Sequence, residues 1–281
     1  MKMKISIQRN IIINNPETKP FLADAFYPEN ETNLPLVIFV HGYKGYKDWG
    51  AWDLMAETFA KNGFYFVKFN FSHNGTTLEN PFEFEDLEAF ANNNYSKELS
   101  DLDVVLNHFI TQKEINSSSV SIIGHSRGGG ISIIKASEDS RISNLITWAS
   151  VDTLNRFPKG DAFDEWKSNG VFTTLNGRTK QNMPHYFQFF EDYKTNESRF
   201  NVQKAIQNFK GNVLIVHGTN DEAVHHNAVQ NLHQFNSHSK LVFIENGGHT
   251  FGAKEPWEEN VLSQHLEAIV KETTQFIKAK I

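Results

Sequence analysis

Val120-Ser121-Ile122-Ile123-Gly124-His125-Ser126-Arg127-Gly128 is the stretch whose reading decides the fold of this chain, together with Gly129-Gly130-Ile131-Ser132-Ile133-Ile134 behind it. The apolar β-formers predict a strand, and the small residues after Ser126 predict a helix. Between them is room only for a very tight turn with a serine at its apex. Glycines stand two residues either side of Ser126, where a sharp turn leaves no space for side chains. The serine hydroxyl is thereby pushed out at the end of the strand. The amide of Arg127 falls at a helix N-terminus, where an N–H can stabilise a developing oxyanion. The plainer alternative is an N-cap serine after a glycine turn.

A serine hydroxyl is a poor nucleophile at neutral pH. It needs a histidine to take its proton and a carboxylate to hold that histidine in one tautomer. Chains with this turn supply them in the order Ser, Asp or Glu, His. Asn212-Val213-Leu214-Ile215-Val216-His217-Gly218-Thr219-Asn220-Asp221 is an apolar strand running into a polar turn, and Asp221 falls just past the strand's carboxyl end. An Asx-turn is the alternative role for this aspartate. Lys240 to Ile244 is a further strand, and the loop after it carries Gly247-Gly248-His249. His249 is the candidate general base among the 12 histidines of the chain. His225 to His238 read as parts of a polar helix and its end, and His217 as a strand residue that packs or hydrogen-bonds locally. A second oxyanion donor is expected after an earlier central strand. Leu36 to His41 is that strand, and the backbone N–H of Tyr43 follows it. Loss of one such donor costs about 3 kcal/mol of transition-state stabilisation. Because this donor is main-chain, replacing the Tyr43 side chain costs less.

These residues carry a resemblance to the α/β-hydrolase superfamily: His41-Gly42-Tyr43, Gly124-His125-Ser126-Arg127-Gly128-Gly129, Gly218-Thr219-Asn220-Asp221 and Gly247-Gly248-His249. It covers the chain from about residue 5 to the C-terminus. Within the superfamily the chain resembles the dienelactone-hydrolase-like, acylaminoacyl-peptidase-like and feruloyl (cinnamoyl) esterase-like group, on Gly45 to Gly50 and Phe69 to Gly75. Dienelactone hydrolases use a cysteine nucleophile, and this chain has no cysteine. Ser126 likewise argues against enzymes with an aspartate at this turn. The resemblance implies a serine hydrolase that cleaves carboxylic esters through an acyl-enzyme and needs no metal or organic cofactor. The alternatives are an acylaminoacyl- or dipeptidyl-type peptidase, a thioesterase or acyltransferase, and a non-catalytic binding module.

The chain has 281 residues, 39% hydrophobic, enough to bury a large core as one domain. Its net charge is −6 with no basic stripe, so nucleic-acid binding has nothing to rest on. The absence of cysteine excludes disulfides and thiolate metal sites and is compatible with a reducing cytoplasm, the expected location. No signal peptide or membrane span is read at the N-terminus, and no partner is expected beyond a small-molecule ester. A homodimer is compatible with the sequence.

Residues 4–13 and 20–27 predict an edge hairpin, and 35–41, 64–71, 145–151, 212–217 and 240–244 further strands. Helices are expected at 52–61, 96–111 (opened by Ser96), after Ser126, at 223–235 and at 257–278. Strands alternating with helices mean a mostly parallel sheet covered on both faces. Residues 152–208 break the alternation and are rich in aromatic rings, where α/β hydrolases commonly carry a lid. Most of these rings are expected to pack among themselves and a few to face the site. Phe157, Trp166 and Phe187 are candidate substrate contacts, with His41, His73 and His125. Residues 72–94 are acidic and Phe-rich, and read as a solvated loop; the alternatives are a wall on the other side of the site, and Glu83, Glu85, Asp86 and Glu88 repelling anionic substrates or binding a metal.

Overall fold

The computed structural model describes residues 4–281. In chain order the elements are β1 (Ile5–Ile13), β2 (Phe21–Pro28), β3 (Leu34–Val40), α1 (Trp52–Lys61), β4 (Tyr65–Phe69), α2 (Leu87–Ala91), α3 (Tyr95–Phe109), β5 (Ile115–His125), α4 (Arg127–Glu138), β6 (Ile142–Trp148), α5 (Asp161–Asn169), β7 (Val171–Leu175), β8 (Asn182–Tyr186), α6 (Gln188–Thr195), α7 (Val202–Asn208), β9 (Asn212–Gly218), α8 (His226–Phe235), β10 (Lys240–Ile244) and α9 (Gln264–Lys278). Eight strands form one sheet in the order β1-β2-β4-β3-β5-β6-β9-β10. The pairs of β2 with β1 and β4 are antiparallel and the others parallel. This is the doubly covered sheet that the alternating pattern predicts.

Side chains alternate across a strand, so each central strand feeds two cores. Leu36, Ile38 and Val40 of β3 point into the core shared with Leu99, Leu102 and Leu106 of α3 and Ile131 and Ile134 of α4. Val37 and Phe39 point the other way, into the core shared with Met55 and Phe59 of α1 and Leu266 and Ile269 of α9. All five residues of β4 are buried, because helices cover both faces of this central strand.

Local chemistry moves several predicted boundaries. Helix α3 starts at Tyr95 instead of Ser96, because Asn94 caps it by accepting from the Lys97 amide at 3.0 Å. Ser96 instead binds the carboxylate of Asp192. Helix α9 starts at Gln264, capped by Ser263, and Trp257 belongs to the irregular segment before it. Helix α8 starts at His226, because Asp221 takes the amides of Ala223 and Val224 into a turn. β6 ends at Trp148, short of residue 151, where Ala149 turns the backbone with φ 49°. Residues 72–94 are not simply a solvated loop: Phe84 and Phe90 are buried and α2 forms within it.

The antiparallel edge carries a buried charge network. Asp24 of β2 and Lys68 of β4 are register partners, and neither side chain is exposed. Asp24 Oδ2 lies 2.8 Å from Lys68 Nζ and 2.9 Å from Lys47 Nζ, and Asp48, Asp53 and Arg9 complete the cluster. Burial alone would raise the Asp24 pKa; Lys68 and Lys47 outweigh it and hold the carboxyl well below the usual range. The carboxylates of Asp24, Asp48 and Asp53 approach one another closely, but lysine ammoniums already fill the space between them. Among the described residues, no helix is long and apolar enough to cross a membrane.

Removing one partner of such a network leaves uncompensated buried charge. Lys68→Met is expected to cost about 3–5 kcal/mol of folding stability. Urea denaturation at pH 7 checks it, and a loss below about 1 kcal/mol would show that the network contributes little.

Candidate active site

Ser126 stands at the carboxyl end of β5, in the sharp turn that its flanking glycines predict. Its backbone lies at φ 56°, ψ −122°, a conformation that costs a non-glycine residue of order 1–3 kcal/mol and persists only when surrounding contacts impose it. Here the Ser126 amide donates to Trp148 O at 2.9 Å, and its carbonyl accepts from Gly129 and Val151. Gly128 is needed for close approach: a Cβ there would lie 2.4 Å from the carbonyl oxygens of Val40 and His41. The turn is thus pressed against the end of β3. The amides of Tyr43 and Arg127 donate to no acceptor among the described residues.

The three residues expected to work together meet in space. His249 Nε2 lies 3.0 Å from Ser126 Oγ, and His249 Nδ1 lies 2.8 Å from Asp221 Oδ2. The other oxygen of Asp221 accepts from the amides of Ala223 and Val224 at 2.8 and 2.9 Å. So the Asx-turn and the histidine contact are not alternatives: one carboxylate makes both. Burial would raise the Asp221 pKa, but the hydrogen bonds from His249 and the two amides prevail and lower it. The loops after β9 and β10 are braced together by Thr219 N to Ile244 O and Asn220 N to Gly247 O. Gly218 allows this, since a Cβ there would lie 2.1 Å from Gly247 O.

Two hollows flank the serine. The larger, about 460 Å³, lies against Ser126, His249, Arg127, Tyr43, Tyr95, Phe157, Trp166, Phe172, His185 and Phe189. The smaller, about 130 Å³, is shared by Ser126, Tyr43 and His249 with His41, Trp49 and His125. Phe157 and Trp166 therefore lie where a substrate contact needs them, although Trp166 is also buried and its Nε1 donates to His185 O at 2.9 Å. Phe163, Phe187, Phe190 and Tyr193 form the expected mini-core with them.

Two expectations, Phe187 and His73, need correction. Phe187 faces away from the cavity and packs on Phe163, Trp166 and Phe190, since it is the residue from which α6 turns off. His73 lies away from the serine: it is buried, and its Nδ1 bonds to Ser72 Oγ at 2.7 Å. His41 and His125 border the small hollow, and main-chain groups hold both ring nitrogens of His41 and Nε2 of His125. His41 Nδ1 lies 2.9 Å from Gly42 O, and its Nε2 accepts from the Phe71 amide. His125 Nε2 donates to His249 O at 2.9 Å and so fixes the loop that carries the base.

Two residues enter the site without having been singled out in the sequence. Glu98 of α3 is buried and receives Arg127 Nη2 at 2.6 Å and Asn93 Nδ2 at 2.7 Å. A signal existed: Glu98 falls within the buried stripe Tyr95, Leu99, Leu102, Val105. His185 of β8 meets Tyr43 Oη at 2.6 Å, and that oxygen also meets Thr174 Oγ1 at 2.6 Å. Only the folding of β7 and β8 over the site creates this contact.

The family model for platelet-activating factor acetylhydrolase, isoform II, matches residues 86–241. Among solved structures, Est1E from Butyrivibrio proteoclasticus with ferulic acid bound is 19% identical, with 96% of this chain and 98% of that one covered and a TM-score of 0.74. The esterase domain of a Rhodothermus marinus protein is 16% identical, with 99% of each chain covered and a TM-score of 0.66. No curated protein matches the chain by sequence. At these identities the structural likeness is one of fold, and that fold is the α/β hydrolase.

Burial keeps several histidines neutral in the folded protein. It lowers His41 and His73 to about 4, and His125 and His185 to about 3. Unfolded histidines titrate near 6.5, so below that pH the unfolded chain binds protons that the folded one refuses. Buried Asp101, raised to about 6, and Glu98, which burial also raises, act in the opposite sense but are two groups against four. Stability is therefore expected to fall as pH drops from 7 to 5. Urea midpoints at the two pH values check this, and an equal or higher midpoint at pH 5 would refute it.

Proposed function

The chain belongs to the platelet-activating factor acetylhydrolase, isoform II, family, and from that premise we propose that it cleaves carboxylic esters with Ser126, His249 and Asp221 as its catalytic triad. The observation that carries the reading is the unbroken chain Ser126 Oγ, His249 Nε2, His249 Nδ1, Asp221 Oδ2, with links of 3.0 and 2.8 Å, opening on an aromatic cavity.

The lowered Asp221 pKa supports an ionised carboxylate that accepts a proton-bearing Nδ1. Nε2 is then unprotonated and free to take the Ser126 proton as Oγ attacks the ester carbonyl. The unpartnered amides of Tyr43 and Arg127 receive the oxyanion. His249 returns its proton to the departing alcohol, and the acyl–oxygen bond of the substrate breaks. Water then attacks the acyl-enzyme with His249 again as base, releasing the acid and free Ser126. Residues 152–208 serve as a lid whose rings Phe157, Trp166, Phe172 and Phe189 line the acyl side. No step calls for a metal or cofactor.

Ser126→Ala is expected to lower kcat by about 10⁶-fold and Asp221→Asn by about 10⁴-fold. p-Nitrophenyl esters from acetate to decanoate, with an alanyl anilide beside them, provide the assay. Wild-type turnover in Ser126→Ala would sink the proposal, and turnover confined to the anilide would make the protein a peptidase.

A further inference from the structure

We propose that the cavity over Ser126 recognises esters whose acyl group carries a free carboxylate, with the Arg127 and Arg156 side chains as the cationic groups that receive it. This rests on the hydrolase reading above and names the substrate class within it.

The charge distribution is the first observation. The chain has 33 acidic and 27 basic residues, yet the walls of the larger cavity contain two arginines and no aspartate or glutamate. Behind these walls, Asp221 is bound to His249 and two amides, and Glu98 receives Arg127 and Asn93 on its Oε1, while its Oε2 is buried without a hydrogen-bond partner. Lys44, on the far side of Tyr43, adds a third positive charge to this region. An anion entering the cavity therefore meets two guanidinium groups and no lining carboxylate, in an otherwise acidic protein.

The state of the two arginines is the second. Arg127 is held in one pose: its Nη2 is tied to buried Glu98, and its guanidinium lies over the rings of Tyr43 at 4.8 Å and Phe189 at 5.9 Å. That leaves Nε and Nη1 without a hydrogen-bond acceptor among the described residues. Arg156 is exposed at the mouth, and its side chain makes no ion pair or hydrogen bond among the described residues. Nε–H and Nη1–H point from different edges of the fixed guanidinium, so each offers a carboxylate oxygen a separate charge-assisted donor against the aromatic walls, and the second arginine adds charge at the entrance. The acyl group is assigned to this hollow because it is the larger of the two beside Ser126, about 460 against 130 Å³.

Mono-(4-nitrophenyl) suberate and its ω-methyl ester share the scissile aryl ester and differ at the distal end, a carboxylate against a neutral methyl ester, with nitrophenol release as the readout. Wild type is expected to hydrolyse the acid with about tenfold higher kcat/KM, an advantage that shrinks as salt is added. Arg156→Gln is expected to lose about fivefold on the acid and to leave the methyl ester unchanged. Arg127→Gln with Glu98→Gln removes the cation and its buried counter-ion together, and should bring the ratio of the two kcat/KM values close to one whatever the absolute rates. Equal or better turnover of the methyl ester by the wild type would overturn the proposal, as would an equal loss on both substrates in Arg156→Gln. Absence of Ser126-dependent turnover on either ester would instead remove the hydrolase reading beneath it.

Discussion

Everything at this site depends on one residue held in a backbone conformation that its side chain disfavours. Ser126 sits at φ 56°, ψ −122°, and relaxing it would swing Oγ away from His249. The strain is sustained by structure on all sides. Trp148 at the end of β6 accepts its amide, Gly129 and Val151 take its carbonyl, and the end of β3 packs against Gly128. Three central strands must therefore end at the same level for the serine to stand where it does. This is why the site lies at the carboxyl edge of the parallel sheet and nowhere else.

Buried charge is handled in two ways in this molecule. At the sheet edge, Asp24 and Lys68 are sealed from water and answered by further charges on every side, so the network is closed. Beside the serine, Glu98 answers only part of Arg127 and leaves donors of the guanidinium unpaired. The desolvation cost is similar in kind at both places, but only the second arrangement has capacity left for a ligand. The neutral histidines around the site do a third job. His41 with both ring nitrogens, and His125 with Nε2, bind main-chain groups and so hold the loops of Gly42 and His249 in place.

Legibility in the sequence tracks the range of the interaction. The turn at Ser126, the order of Ser126, Asp221 and His249, and the alternating strands and helices follow from neighbours along the chain, and the fold they imply is the one observed. Boundaries slipped where a side chain competed for a few amides. Asn94 moved the start of α3, Ser263 that of α9, and Asp221 delayed α8. His73 and Phe187 were misplaced for another reason. Both are found in segments without a regular period, where nothing local sets the direction of a side chain.

By itself the sequence determined the sheet, its two cores and the identity of the serine, histidine and aspartate, because periodicity and turn chemistry are properties of adjacent residues. Tertiary structure alone decided which rings of residues 152–208 face the serine, that His185 reaches Tyr43, and that Arg127 is clamped by Glu98. These contacts join residues 29 to 142 positions apart, and only the closing of separate elements over one strand end brings them within bonding distance.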